Sequence, residues 1–90
     1  MSHKWKLVFS DVALKTIKKM DRAEALLILG YLEKKLENCS NPRLYGKALQ
    51  ADHKSKWRYR VGDYRILCLL EDEVITVTVI AIGHRKDIYK

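Results

Sequence analysis

Ninety residues, 48% apolar and 32% charged with a single proline, describe one small folded domain over residues 1–90 and exclude a low-complexity chain. Eighteen Lys and Arg against eleven Asp and Glu leave a net charge of +7, which points to a polyanionic partner. Two cysteines without CxxC spacing exclude a disulfide framework, and no apolar run approaches the roughly 18 residues of a spanning helix, so the expected location is cytoplasmic with no membrane partner.

In chain order, Trp5, Leu7 and Phe9 alternate with Lys4, Lys6 and Val8 and predict a half-buried first strand. Ser10 is placed to cap a helix whose apolar positions are Leu14, Ile17 and Met20, with Lys18 and Lys19 suiting the dipole of its last turn. Asp21 followed by Glu24 resembles a capping box for a second helix, whose stripe is Leu26, Leu29, Leu32 and Leu36, widened by Ala25 and Ile28. Gly30 inside that helix costs about 1 kcal/mol against alanine, for which close approach of another backbone is the expected reason. The helix should end near Asn38, before Pro42, and residues 39–55 read as a long connection around Gly46.

From Lys56 the period switches to two, and strands are predicted over 56–61, 64–70 and 74–82, followed by a short tail after Gly83. The fold class is therefore α+β: strand, helix, helix, then a three-stranded antiparallel meander. Gly62-Asp63 is a two-residue hairpin signal with glycine placed for a type II′ turn. That register pairs Val61 with Tyr64, Arg60 with Arg65, Tyr59 with Ile66 and Arg58 with Leu67. Tyr59, Val61, Tyr64 and Ile66 then share the core face, while Arg58, Arg60 and Arg65 project from the other. A next turn at Asp72-Glu73 would set Leu67 against Thr78 and Arg65 against Ile80.

Much of the surplus charge is local, because residues 43–65 hold Arg43, Lys47, Lys54, Lys56, Arg58, Arg60 and Arg65 against only Asp52 and Asp63. Two guanidinium groups held about 5 Å apart at an effective dielectric near 20 repel by roughly 3 kcal/mol, before salt and side-chain spreading reduce it. The fold gains nothing from that. A phosphate between them turns the repulsion into charge-assisted hydrogen bonds. The competing structural reading is that the side chains splay into water, with Arg60 paired to a nearby carboxylate. His3, His53 and His84 lack metal-ligand spacing and no HExxH is present, so neither a metal nor another cofactor is expected.

The stretch from Gly46 to Lys90, with "WRYRVGDYRI" and "GHRKDIY" at their separation, resembles the RelE branch of the RelE/ParE toxin superfamily; the amino-terminal half resembles it in pattern. The resemblance implies a RelE/ParE-like domain and a toxin component of a toxin–antitoxin system. Its implied activity is that of a metal-independent endoribonuclease, or mRNA interferase, cleaving mRNA in the ribosomal A site. Implied partners are a cognate RelB-like antitoxin, mRNA and ribosome, and operator DNA through the antitoxin.

Carried over by position, Arg65 and Arg85 match arginines that contact the scissile phosphate, and Tyr89 resembles a carboxy-terminal tyrosine implicated in catalysis or substrate orientation. Arg58 and Arg60 stand where the best-known RelE member carries lysines, one with a proton-transfer duty. Arginine, with a pKa above about 12, stabilises charge but is a poor general base. Proton transfer is left open among His84, Tyr89 and Lys56, and Lys54 and Lys56 are also candidate RNA contacts. The alternatives are a ParE-like inhibitor of DNA gyrase on the same fold and a basic RNA-binding module without turnover.

Overall fold

The structure, a computed structural model, describes residues 4–49 and 55–84. Alternation produces β1 (Lys6–Phe9), which turns Leu7 and Phe9 toward the core, together with the preceding Trp5. Ser10 caps α1 (Asp11–Lys19): its hydroxyl accepts from the Ala13 amide at 3.1 Å and donates to the Ile80 carbonyl at 3.0 Å. Ala13 is fully buried and Ile17 and Met20 pack on the core, whereas Leu14 is 41% exposed. A 13–17–20 spacing follows the helical period better than 14–17–20, which drifts by about 60° at each step.

Asp21 caps α2 (Arg22–Lys35) by accepting from the Ala23 amide at 3.2 Å. Glu24, expected to close a capping box, lies beside the Tyr64 hydroxyl instead and raises its pKa. The buried stripe is Ala25, Ile28, Leu32 and Leu36; Leu26, predicted inside, is 57% exposed, and Leu29 is only half-buried. The expected backbone approach at Gly30 is absent, since a Cβ there would meet nothing within 4 Å.

The connection after α2 is more ordered than its sequence suggests. Asn41 caps a single 3-10 turn at Pro42–Leu44, and β2 (Lys47–Ala48) pairs antiparallel with β3 (Lys56–Val61), placing Lys47 opposite Arg58. Gly46, at φ +72°, makes this possible. A Cβ there would collide with the Arg58 carbonyl and come within 2.8 Å of the Tyr59 ring. Two aromatic side chains of β3 hold the connection down: the buried Tyr59 hydroxyl donates to the Pro42 carbonyl at 2.6 Å, and Trp57 Nε1–H donates to the Tyr45 carbonyl at 2.6 Å. Arg43 meets Asp72 through two parallel 2.9 Å bonds, with its guanidinium 5.8 Å from the Trp57 ring centre.

β3 and β4 (Tyr64–Glu71) pair in the predicted register, Arg60 opposite Arg65. Gly62 has φ +59°, while Asp63 keeps the ordinary sign, as a type II′ turn requires. The next connection differs from expectation. Asp72–Val74 form a 3-10 turn, Ile75 is left-handed at φ +48°, and β5 (Thr76–His84) starts two residues later than predicted. A bulge opposite Leu67/Cys68 leaves Ile80 between the paired Val79 and Ala81. The longer loop and the bulge together set Leu67 against Ala81 and Arg65 against Gly83, not Thr78 and Ile80. The bulged Ile80 carbonyl is the one that Ser10 satisfies.

The sheet order is β1-β5-β4-β3-β2, with β1 parallel to β5. Both helices pack on one face, over Tyr59, Val61, Ile66, Cys68, Leu70, Val77, Val79 and Ile82, all at most 6% exposed. This is an α+β architecture, enlarged by β2.

Glycine substitutions separate the local requirements. Gly30→Ala should raise stability by up to about 1 kcal/mol. Gly62→Ala, with open space but positive φ, should cost about 1 kcal/mol. Gly46→Ala should cost about 2 kcal/mol or more, because overpacking adds to the backbone term. Urea midpoints at unchanged m-value give the ranking; equal losses at 46 and 62 would remove the close-approach argument.

The Arg43 guanidinium holds the Asp72 carboxyl below its ordinary value. A carboxyl depressed in the folded state stabilises above its unfolded pKa, near 3.9, and loses that contribution as pH falls through the folded value. Asp72 is 64% exposed, so the contribution should stay below about 1 kcal/mol. The stability gap between the parent and Asp72→Asn, followed by thermal melts at low salt from pH 7 to pH 2, should shrink below about pH 4.

Candidate nucleic-acid interface

β3 divides its side chains by alternation: Trp57, Tyr59 and Val61 face the helices, and Lys56, Arg58 and Arg60 face away. β4 places Arg65 and Leu67 on that outer face, and β5 adds Ala81 and Gly83 beside them. The cross-strand rows are Arg60–Arg65–Gly83 and Arg58–Leu67–Ala81. Arg65 is half-buried with its Nε shielded from solvent, and its neighbour across the strand, Gly83, has no side chain to cover it. Arg60 is exposed.

Among the described residues the one salt bridge is Arg43–Asp72, so the predicted possibility of a carboxylate partner for Arg60 is not realised there. Arg43, by contrast, leaves the basic cluster to serve the fold. Two concavities meet at Arg60. A cleft of about 60 Å³ is lined by Arg60, Gly62, Asp63, Tyr64 and Arg65. A larger one of about 300 Å³ is lined by Tyr31, Gly46, Lys47, Arg58 and Arg60.

The other candidates fall elsewhere. His84 pairs with Tyr64 and meets its ring edge-on, with centroids 5.6 Å apart. Tyr64 belongs to the helix-facing set, so the register sets His84 on the opposite face from Arg60 and Arg65. The Tyr64 hydroxyl is held above its ordinary pKa by the neighbouring Glu24 carboxylate. Lys56 is exposed on the arginine face, but four residues along β3 from Arg60, about 13 Å. Lys54, Arg85 and Tyr89, with His3 and His53, lie outside the described residues.

Sequence reasoning did not single out Tyr31 and counted Lys47 only within the basic cluster of residues 43–65. Tyr31 was hidden in an apolar helix stripe, where it packs at 6.5 Å from the Tyr59 ring, and Lys47 lay in what read as a loop. The signal available was Gly46, whose tight backbone brings Lys47 against Arg58. Burial raises the pKa of both thiols, Cys39 and Cys68, which keeps them protonated and unreactive near neutrality. Among the described residues no group of His, Cys, Asp and Glu could hold a metal ion, and no helix is long and apolar enough to cross a membrane.

Residues 7–89 match the family described as the ParE toxin of type II toxin-antitoxin systems, parDE. Toxin RelG of Mycobacterium tuberculosis is 37% identical over 49 residues, 54% of this chain and 56% of that toxin, so the match spans little more than half the length of this curated relative. The toxin-antitoxin complex RelBE2 from Mycobacterium tuberculosis superposes with a TM-score of 0.78 at 24% identity, covering 93% of this chain and 94% of that one. Free E. coli toxin RelE, in a doubly substituted form, gives 0.77 at 22% identity over 96% and 88%. In the intact E. coli RelBE toxin-antitoxin complex the match is 0.69 at 21% identity over 89% and 95%. At these identities the structural likenesses establish the fold.

Proposed function

The chain belongs to the ParE toxin family of type II toxin–antitoxin systems, within the RelE/ParE superfamily, and from that premise we propose that it is an endoribonuclease cleaving mRNA in the ribosomal A site. The observation that carries this reading is Arg60 directly opposite Arg65 on the sheet face turned away from the helices. A stability-driven fold has no use for that pair; a phosphodiester does.

In the proposed reaction a ribose 2′-hydroxyl attacks the adjacent phosphorus, the P–O5′ bond breaks, and the products are a 2′,3′-cyclic phosphate and a free 5′-hydroxyl. One proton leaves the 2′-oxygen and one reaches the departing 5′-oxygen. Arg65 and Arg85 stabilise charge on the nonbridging oxygens, and Arg58 and Arg60 hold the flanking backbone. Neither arginine of β3 takes a proton near neutrality. With His84 on the other face and Lys56 about 13 Å along the strand from Arg60, proton transfer or substrate orientation is assigned to Tyr89. Lys54 and Lys56 are assigned to RNA or ribosome contacts. A cognate RelB-like antitoxin, covering the arginine face with an acidic or amphipathic segment, keeps the toxin inactive and links it to operator DNA.

Arg65→Ala should lower cleavage of ribosome-bound mRNA by about 10²–10³-fold, as loss of a donor aimed at developing charge does elsewhere. Toeprinting in a translation extract measures it, and undiminished cleavage with undiminished growth arrest would remove Arg65 from the chemistry. The family's ParE name favours a second reading, gyrase inhibition without RNA cleavage. Intact mRNA together with loss of DNA supercoiling by purified gyrase would select it. Ribosome-bound mRNA that is occluded but never cut would select a non-catalytic RNA-binding module.

A further inference from the structure

The larger cleft is built differently from the arginine pair and asks for a different part of a ligand. Its wall is Tyr31, on α2 at the helix side of the sheet, and its floor is Gly46, packed tightly on the β3 backbone at Arg58. Lys47 and Arg58, opposite each other across β2 and β3, supply cations, and Arg60 closes the end nearest Arg65. Tyr31 is held from behind by the Tyr59 ring, which is itself fixed through its hydroxyl to Pro42. Beyond the cleft, Lys35 lies 4.9 Å over the Tyr45 ring, so aromatic and cationic groups continue alternately along this edge. At about 300 Å³ the cleft falls at the lower end of small-ligand sites, suited to one nucleotide and too small for a helix.

We infer that the Tyr31–Gly46–Lys47–Arg58–Arg60 cleft is a flanking subsite for single-stranded RNA, taking the nucleotide next to the linkage held at Arg60 and Arg65. A pinned aromatic ring beside backbone-tracking cations is how sequence-tolerant single-strand sites are made, the base stacking on the ring and its phosphate meeting the cations. Arg60 borders both concavities and joins the two subsites. This inference rests on the RNA-cleaving reading and adds to it the residues Tyr31 and Lys47.

The test is binding of uncleavable 2′-O-methyl oligoribonucleotides, three and six nucleotides long, to the full chain at low salt. The six-mer should bind more tightly than the three-mer. Tyr31→Leu, which keeps an apolar contact to Tyr59 but removes the stacking face, should cost the six-mer about fivefold or more, and Tyr31→Phe should cost little. Lys47→Gln, at an exposed position, should weaken the six-mer and reduce the slope of log affinity against log salt by about 0.7. Three-mer affinity should change little in each variant. If Tyr31→Leu melts early, Lys47→Gln and its salt slope carry the test alone.

A six-mer advantage that survives both Tyr31→Leu and Lys47→Gln would overturn the subsite and leave the RNA-cleaving reading standing. No binding of either length would overturn the subsite, while toeprinting on ribosome-bound mRNA decides the RNA-cleaving reading separately. Displacement of the six-mer by a polyglutamate peptide, with Tyr31→Leu without effect, would make the cleft a groove for an acidic peptide and overturn the nucleotide assignment.

Discussion

The register of β3 against β4 decides which side chains of this hairpin enter the core and which form the basic face. Gly62 accepts the positive φ of a two-residue turn, and from there pairing by twos sends Tyr59, Val61 and Ile66 inward and Arg58, Arg60 and Arg65 outward. The opposition of Arg60 and Arg65 costs at most about 3 kcal/mol and less in salt. Burial on the other face outweighs it: Tyr59 and Ile66 are fully buried and Val61 nearly so, each contributing about 1.5–3 kcal/mol. A slip by one residue would lose that burial and drive guanidinium groups under the helices. The core fixes the opposition of Arg60 and Arg65.

The same strand also organises what lies beside it. Tyr59 and Trp57 point toward the helices, yet each spends its polar atom on the connection from α2, through the Pro42 and Tyr45 carbonyls. Those bonds bring Gly46 against the Arg58 carbonyl and so bring Lys47 opposite Arg58. Arg43 completes the attachment by pairing with Asp72 in the β4–β5 turn. Charge in residues 43–65 is thus divided by role: Arg43 holds the frame, while Lys47, Arg58, Arg60 and Arg65 line concavities.

Legibility in the sequence followed the range of the interaction involved. The Gly62-Asp63 hairpin was readable because turn chemistry and alternation are local and agree. The helix caps at Ser10 and Asp21 were readable for the same reason. The helix stripes were only half readable: Ala25 and Ile28 belong to the predicted stripe and are buried, but Ala13 is small beside Leu14, and Leu26 is as apolar as its buried neighbours; which side packs is settled by the sheet. The β4–β5 register was not readable. It depends on Ile75, a β-branched residue at φ +48°, and on a bulge whose carbonyl is satisfied by Ser10, 70 residues away. β2, two residues long, leaves no periodicity to detect. The arginine pair was therefore visible in advance and the Tyr31–Lys47 cleft was not, because one is set within a hairpin and the other by three separate elements.

Arginine at positions 58 and 60 makes the outer face permanently charged. A lysine or histidine there would let pH modulate both substrate hold and proton transfer, whereas guanidinium groups separate the two duties. The fold then supplies electrostatics that do not titrate, and any pH dependence of the proposed cleavage must come from a group other than Arg58, Arg60 or Arg65. The same permanence constrains inhibition. A partner covering these arginines has to meet fixed charge with carboxylates or hydrogen-bond acceptors of its own, because burying guanidinium groups without them costs several kcal/mol per ion. Its hold on the toxin would accordingly weaken with salt far more than with mild acidification, down to the pH at which its own carboxylates begin to protonate.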